Sequence, residues 1–301
     1  RRQRQMCIRD SIKEAVGKGY EFLRKEHIVD YQYFFNRVDL QLTDRIPAIP
    51  TDKLLSQYRS GKHDTYLEEL FFQYGRYLLI ASSRNGSLPA NLQGVWTQYD
   101  FSPWSGGYWH NINIQMNYWH VFNTNLSELF NPYMEYNETF RKAGVQKAID
   151  YITRHNPTAL NPINEENGWT IGTGATAFNI EAPGGHSGPG TGGFTTKLFW
   201  DYYDFTRDTQ LLKEHVYPAL LGISKFLSKT LKEQPDGTLL VDPSFSPEQK
   251  HNKQYYRTKG CIFDQSMILE TYQDLLKAAK ILNSRDPFLK TVKEQIGKLD
   301  A

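Results

Sequence analysis

Cysteine is nearly absent, with two in 301 residues, Cys7 and Cys261. Two thiols that far apart suggest neither a disulfide framework nor a zinc site, both of which need several ligands at short spacings. Long apolar runs are missing as well. No stretch approaches the roughly 20 residues that a membrane-spanning helix requires. A charge excess is also missing, because 35 basic and 33 acidic residues leave a formal net charge of +2. This balance argues against nucleic acid or a membrane surface as the main partner. The chain has no internal repeat and no βαβ alternation. It has no glycine-rich phosphate loop at a helix start and no arginine cluster to hold a phosphate.

Aromatic residues are abundant, at 14% of the chain. Either a large aromatic core or a surface that handles sugars would account for them. The stretch 88–128 decides where to look. It interleaves the rings of Trp96, Tyr99, Phe101, Trp104, Tyr108, Trp109, Tyr118 and Trp119 with the amides of Asn91, Gln93, Asn111, Asn113, Gln115 and Asn117. Rings can stack on the apolar faces of sugars, and amides offer a donor and an acceptor to hydroxyls. Buried as an ordinary core, the same stretch would have to find a partner for every amide.

Around this stretch the chain reads as helices separated by polar-aromatic loops. Apolar spacing predicts one long helix over 11–38, weakened at Gly17 and Gly19. A loop with Pro47 and Pro50 follows. A helix over 67–83 carries an apolar stripe of Leu67, Leu70, Phe71, Tyr74, Leu78 and Ala81. Further helices are predicted over 111–122, 137–155, 195–205, 211–231, 265–282 and 287–299, with Asp208 and Asp286 as N-caps. The segments 156–193 and 234–258 read as long functional connections. The expected class is all-α, a toroid of helical hairpins with long functional loops at one rim.

The residues of several segments carry a specific resemblance. Leu88–Trp96 (LPANLQGVW), Asn111–Trp119 (NINIQMNYW), Asn125–Glu128 (NLSE), Phe72–Arg84 and Ser246-Pro247-Glu248 are similar to the catalytic domain of glycoside hydrolase family 95. The resemblance implies a partial (α/α)6 barrel that hydrolyses terminal α-L-fucosides, with α-L-galactosides as a variation, inverting the anomeric carbon. The chain has fewer helices than a closed barrel requires. It is therefore expected to be a truncated domain: 1–10 a non-native tail that resembles translated sequencing-adapter read-through, 11–50 a helix and loop leading in, and 51–301 an incomplete barrel lacking its C-terminal helices.

Inverting hydrolysis needs a protonated acid on the leaving oxygen and a base that activates water on the other face. Glu248 matches the family's general acid. Pro247 fixes the backbone before it, and Phe245 with nearby loops is expected to desolvate it, which keeps a carboxyl protonated. Asn111 and Asn113 match the water-positioning pair. In an extended stretch their i, i+2 spacing points both side chains to one side, and the bland alternative is N-capping. The family's water-activating aspartate has no match here and is expected to be missing.

Trp96, Trp104, Trp109, His110, Gln115, Trp119, His186 and Asp264 are candidate substrate contacts, Asp264 being equally readable as an N-cap. Trp109 stands where the family commonly has a histidine. The 170–193 loop is usually richer in Trp and His, but here it has Gly185-His186-Ser187-Gly188. No cofactor or metal is expected. The expected partner is a fucosylated oligosaccharide or glycan, with no nucleic acid and no membrane. A secreted or periplasmic location is favoured over a cytoplasmic one. The competing reading is a non-catalytic glycan-binding relative or an inactive fragment.

Overall fold

The computed structural model describes residues 2–176 and 179–300. Its contacts divide into two units. One comprises the residues up to Ala81 with Thr124–Leu126, and the other comprises Ser82–Asn123 and everything from Ser127 onward.

The first unit holds α1 (Arg2–Lys18), α2 (Tyr20–Phe35), α3 (Thr51–Arg59) and nearly all of α4 (Thr65–Ser82). The single helix predicted over 11–38 is therefore two. The break is Gly19, whose φ of 76° lies in the left-handed region that glycine enters without a Cβ penalty. The helix α3 is an addition to the prediction; it buries Leu54 alone, too short a signal for apolar spacing to show.

The predicted stripe of α4 is out of phase. Leu67, Arg76, Leu79 and Ile80 are buried, whereas Phe71, Tyr74 and Leu78 are exposed. This helix is apolar on more than one side, so periodicity could not select the face. The selected face brings in Arg76. Its guanidinium donates to the carbonyls of Val38 (2.8 Å), Phe35 (2.9 Å) and Phe34 (3.3 Å), and to Gln73 Oε1. A cation at the carbonyl end of α2 satisfies acceptors that the helix itself leaves open.

The second unit holds α5 (Asn113–Tyr118), α6 (Asn131–His155) and α7 (Thr191–Thr206). It continues with α8 (Thr209–Leu211), which passes through a π turn (Leu212–Val216) into α9 (Tyr217–Ser228), and ends with α10 (Ile262–Ile281) and α11 (Phe288–Ile296). Asp208 caps α8 as predicted, accepting from the Gln210 and Leu211 amides. Asp286 Oδ1 accepts the Phe288 amide at 2.9 Å, but the cap position of α11 is Pro287, one residue later than predicted.

The helix α10 packs against α7 and α9. The core of this unit is a cluster of rings, with Phe130 4.8 Å from Tyr133 and 6.1 Å from Phe199 between centroids. Such pairs contribute about 0.5–1.5 kcal/mol each beyond their area.

Among the described residues, strands are confined to three antiparallel ribbons. The first pairs β1 (Tyr108–Trp109) with β2 (Gly174–Ala175). The second pairs β3 (Leu231–Glu233) with β4 (Leu239–Val241), and the third β5 (Lys250–His251) with β6 (Gln254–Tyr255). All lie in segments that read from sequence as irregular or helical.

Candidate active site

The ribbon β1–β2 begins the site. Along β1 successive side chains alternate in direction, so Tyr108 is buried while Trp109 is half-buried. The pairing continues one residue further, where the His110 amide donates to Thr173 O at 2.8 Å. The backbone then turns at Ile112, which caps α5, and the helix starts at Asn113. Asn111 and Asn113 thus straddle a strand-to-helix turn rather than an extended segment, and neither caps the helix. Asn111 is buried and Asn113 exposed.

A cavity of about 280 Å³ opens here, lined by Leu92, Trp104, Trp109, Asn113, His186 and Glu248. Glu248 stands beside it on the loop before β5, and Asn111 Nδ2 donates to Glu248 Oε1 at 2.9 Å across 137 residues of sequence. This direct contact differs from the sequence expectation, in which the acid and both asparagines face each other across a sugar ring. Asn113 alone of the pair lines the cavity. The expected desolvation of Glu248 is also not in place, since 52% of its side-chain surface is open to solvent. The Phe245 backbone is engaged elsewhere.

That engagement is with Asp264, on the first turn of α10. Asp264 is fully buried. Its Oδ2 accepts from Ser244 Oγ (2.6 Å) and the Phe245 amide (3.2 Å), and its Oδ1 from the Gly190 amide (2.7 Å). Cys261 Sγ lies 3.4 Å from Oδ2. Burial pushes the carboxyl up to about 6, against the lowering effect of these donors. Asp264 therefore does not reach the cavity and does not cap α10, whose cap residue is Cys261. Instead it ties the glycine-rich loop to the loop that carries Glu248. The Gly188 amide adds a bond to Phe245 O at 3.1 Å. A Cβ on Gly188 would stand 2.1 Å from Asp264 Oδ2, so the chain passes too close for any side chain.

The glycine-rich loop presents His186, whose Nδ1 is 3.7 Å from Glu248 Oε1. The Tyr255 hydroxyl lies 2.8 Å from His186 Nδ1, and their rings are 4.5 Å apart. Tyr255 arrives on the β5–β6 hairpin, whose turn residues Asn252 and Lys253 have φ of 50° and 65°. Two left-handed residues make the turn that suits a tight hairpin. Sequence reading missed Tyr255. The usual signal is a glycine in such a turn, and here lysine takes its place.

Of the candidate substrate contacts, Trp104, Trp109 and His186 line the cavity. Five other candidates are not among its lining residues. His110 is fully buried, parallel to Tyr136 at 5.9 Å, and burial pushes its imidazole down to about 3. Gln115 is fully buried and donates to His110 O at 2.6 Å. Trp96 is exposed over Gly94, and Trp119 stands edge-on to Phe194. Asp264 is the fifth. For His110 and Gln115 the cause is the backbone turn at Ile112, which sends neighbouring amides and rings alternately to the interior and to the cavity. Among the described residues, no group of His, Cys, Asp and Glu could hold a metal ion. No helix there is long and apolar enough to cross a membrane.

The chain is 38% identical over 279 residues to "Probable alpha-fucosidase A" of Aspergillus niger, covering 90% of this chain and 34% of that protein. It is 31% identical to "Alpha-L-fucosidase 2" of Arabidopsis thaliana, covering 93% of this chain and 34% of that protein. The chain thus spans about a third of the length of these curated relatives. Among solved structures, a "Putative kojibiose phosphorylase from human microbiome" superposes with a TM-score of 0.51 at 12% identity, over 75% of this chain and 33% of that one. This shows a shared helical-toroid fold and nothing of the chemistry. The fold class is all-α, part of an (α/α)6 barrel. The profile of the glycosyl hydrolase family 95 catalytic domain matches residues 19–301, and the chain belongs to that family.

Proposed function

We propose that the cavity is the site of an inverting exo-α-L-fucosidase, with Glu248 as general acid and Asn111 and Asn113 orienting the attacking water. The observation that carries this reading is the Asn111–Glu248 bond at the mouth of a cavity also lined by Asn113. Two segments far apart in sequence supply complementary polar groups to one sugar-sized space walled by Trp104 and Trp109.

The chemistry follows from the side chains. A glycosidic oxygen leaves as a hydroxyl once Glu248 gives it a proton. Removing a carboxyl from water favours its protonated form, and a sugar seated in the cavity would do this to the half-open Glu248. Asn111 suits both states of the acid, because an amide donates to a carboxylate through Nδ2 and accepts from a carboxylic acid through Oδ1. Entry of the sugar releases Asn111 from Glu248, freeing its amide to join Asn113 in holding a water against the opposite face of the anomeric carbon.

An amide oxygen is a weak base, so a carboxylate must take the proton of that water. Glu248 is the one carboxyl among the described residues lining the cavity. The second carboxylate therefore comes from outside this lining, as the family resemblance implies. Trp104 and Trp109 offer apolar faces to the sugar and its methyl group.

The test is turnover of an aryl α-L-fucoside by the complete protein. The wild type should release fucose with inverted configuration at first appearance by NMR, and Glu248→Gln should lose at least about 100-fold in kcat. Unchanged turnover in that variant removes Glu248 as the acid. Sugar binding with no turnover by the wild type would favour the non-catalytic glycan-binding reading.

A further inference from the structure

The loop between the Leu88–Trp96 motif and β1 is built unlike a core segment. Residues 95–101 and 103–105 are exposed. Its rings stand in water: Trp96 is 48% exposed, Tyr99 54%, Trp104 72% and Phe101 93%. Polar Thr97, Gln98, Asp100 and Ser102 alternate with them. Grouped exposed rings expose apolar surface to water and mark a binding surface.

The loop is also held at its root. Gln93 Nε2 donates to Pro103 O at 3.4 Å, and the Gly107 amide to Trp104 O at 3.1 Å. Trp104 and Ser105 have φ of 50° and 57°. Non-glycine residues in the left-handed region cost free energy and gather where a side chain must be aimed. Here the aimed side chain is Trp104, which also lines the cavity.

We propose that loop 95–104 is an aglycone subsite that stacks on the sugar rings of an extended neutral glycan whose terminal fucose occupies the cavity. This rests on the fucosidase reading and adds to it the class of substrate. Continuity with the cavity through Trp104 is the first support. Phe101 is three residues from Trp104 and Tyr99 five, distances of at most about 11 and 18 Å along the chain, within the span of a short oligosaccharide.

Charge is the second support. No lysine or arginine occurs between Arg84 and Arg141. A surface that docks on anionic lipid or on phosphate uses such cations. The one charged side chain of the loop, Asp100, repels an anion, and rings interleaved with the hydroxyls and amide of Thr97, Gln98 and Ser102 suit a neutral partner with hydroxyls on its edges and C–H groups on its faces.

The experiment compares kcat/KM for a fucosylated oligosaccharide with kcat/KM for an aryl fucoside in the complete protein, for wild type, Tyr99→Ala and Phe101→Ala. The ratio of the two values is independent of the folded fraction. It should fall about fivefold or more in each variant, and a ratio held at the wild-type value in both overturns the subsite. Calorimetry with the same oligosaccharide lacking fucose gives a readout that needs no turnover. The wild type should bind it and both variants should bind it more weakly. No binding by the wild type, or binding to lipid vesicles in its place, also overturns the proposal. Failure to turn over either fucoside, with the glycan still bound, instead strikes the fucosidase reading alone.

Discussion

Asn111 Nδ2 and Glu248 Oε1 are 2.9 Å apart and belong to segments separated by 137 residues. The bond makes the position of the acid depend on the aromatic stretch that also walls the cavity. Asn111→Ala should lower kcat on an aryl fucoside by about 100-fold, the scale of a misplaced reacting group. Asn111→Asp tests the contact more sharply. Two carboxyls at hydrogen-bond distance cannot both ionise, so one proton is shared and held to higher pH. The limb of the kcat/KM profile set by loss of the acid's proton should then move to higher pH. A profile limb identical to that of the wild type would show that the two groups do not meet in the free enzyme.

Tyr255 is predicted to matter through His186. Its hydroxyl is 2.8 Å from His186 Nδ1, and His186 Nδ1 is 3.7 Å from Glu248 Oε1. Tyr255→Phe keeps the ring against the glycine-rich loop and removes one hydrogen bond, a change of about 1 kcal/mol. We expect kcat/KM to drop about fivefold, with melting temperature nearly unchanged. Tyr255→Ala should cost more, because the ring also packs where a Cβ on Gly185 would stand 2.4 Å from Tyr255 Cδ2.

Gly188→Ala separates space from backbone conformation. Gly188 is not among the positive-φ residues, so alanine could adopt its backbone. The obstacle is Asp264 Oδ2, 2.1 Å from the new Cβ. Overpacking of this kind costs about 1–3 kcal/mol and should show as a lower denaturation midpoint. It should also lower activity, because the displaced loop carries His186. Gly237→Ala is the control of opposite logic, since that glycine has φ of 86° and open space around it. It should lose stability through strain alone and keep its kinetics.

The sequence carried the helical class, the cap at Asp208, and the segments that form the cavity, because spacing, capping chemistry and long motifs are local. It did not carry the phase of α4, whose apolar residues encircle the helix and left Arg76 unrecognised as buried. Nor did it separate Trp104 and Trp109 from His110 and Gln115. Those four residues share one composition signal and are sorted only by the pairing of Trp109 with Gly174 and the turn at Ile112. Tyr255 and the buried role of Asp264 depend on long-range packing, for which a single chain holds no periodic mark.

The last prediction concerns pH and stability. Asp264 ionises near 3.8 when unfolded and near 6 when folded. Between those values the folded state binds more protons than the unfolded state, so this group's contribution to stability is full below 3.8 and is lost as pH rises through 6. His110 acts in the opposite sense. Its imidazole titrates near 3 folded and 6.5 unfolded, so its contribution is full above 6.5 and is lost as pH falls towards 3.

The two slopes overlap and offset each other in wild type between pH 4 and 6. Asp264→Asn removes one of them. The amide also changes the bonds to Ser244 and Gly190, which adds an offset that is constant with pH. The difference in melting temperature, variant minus wild type, should therefore climb from pH 4 to pH 6 and level off above, whatever its starting sign. A difference that stays flat across that range in calorimetric scans would show that Asp264 is not buried in the form the structure describes.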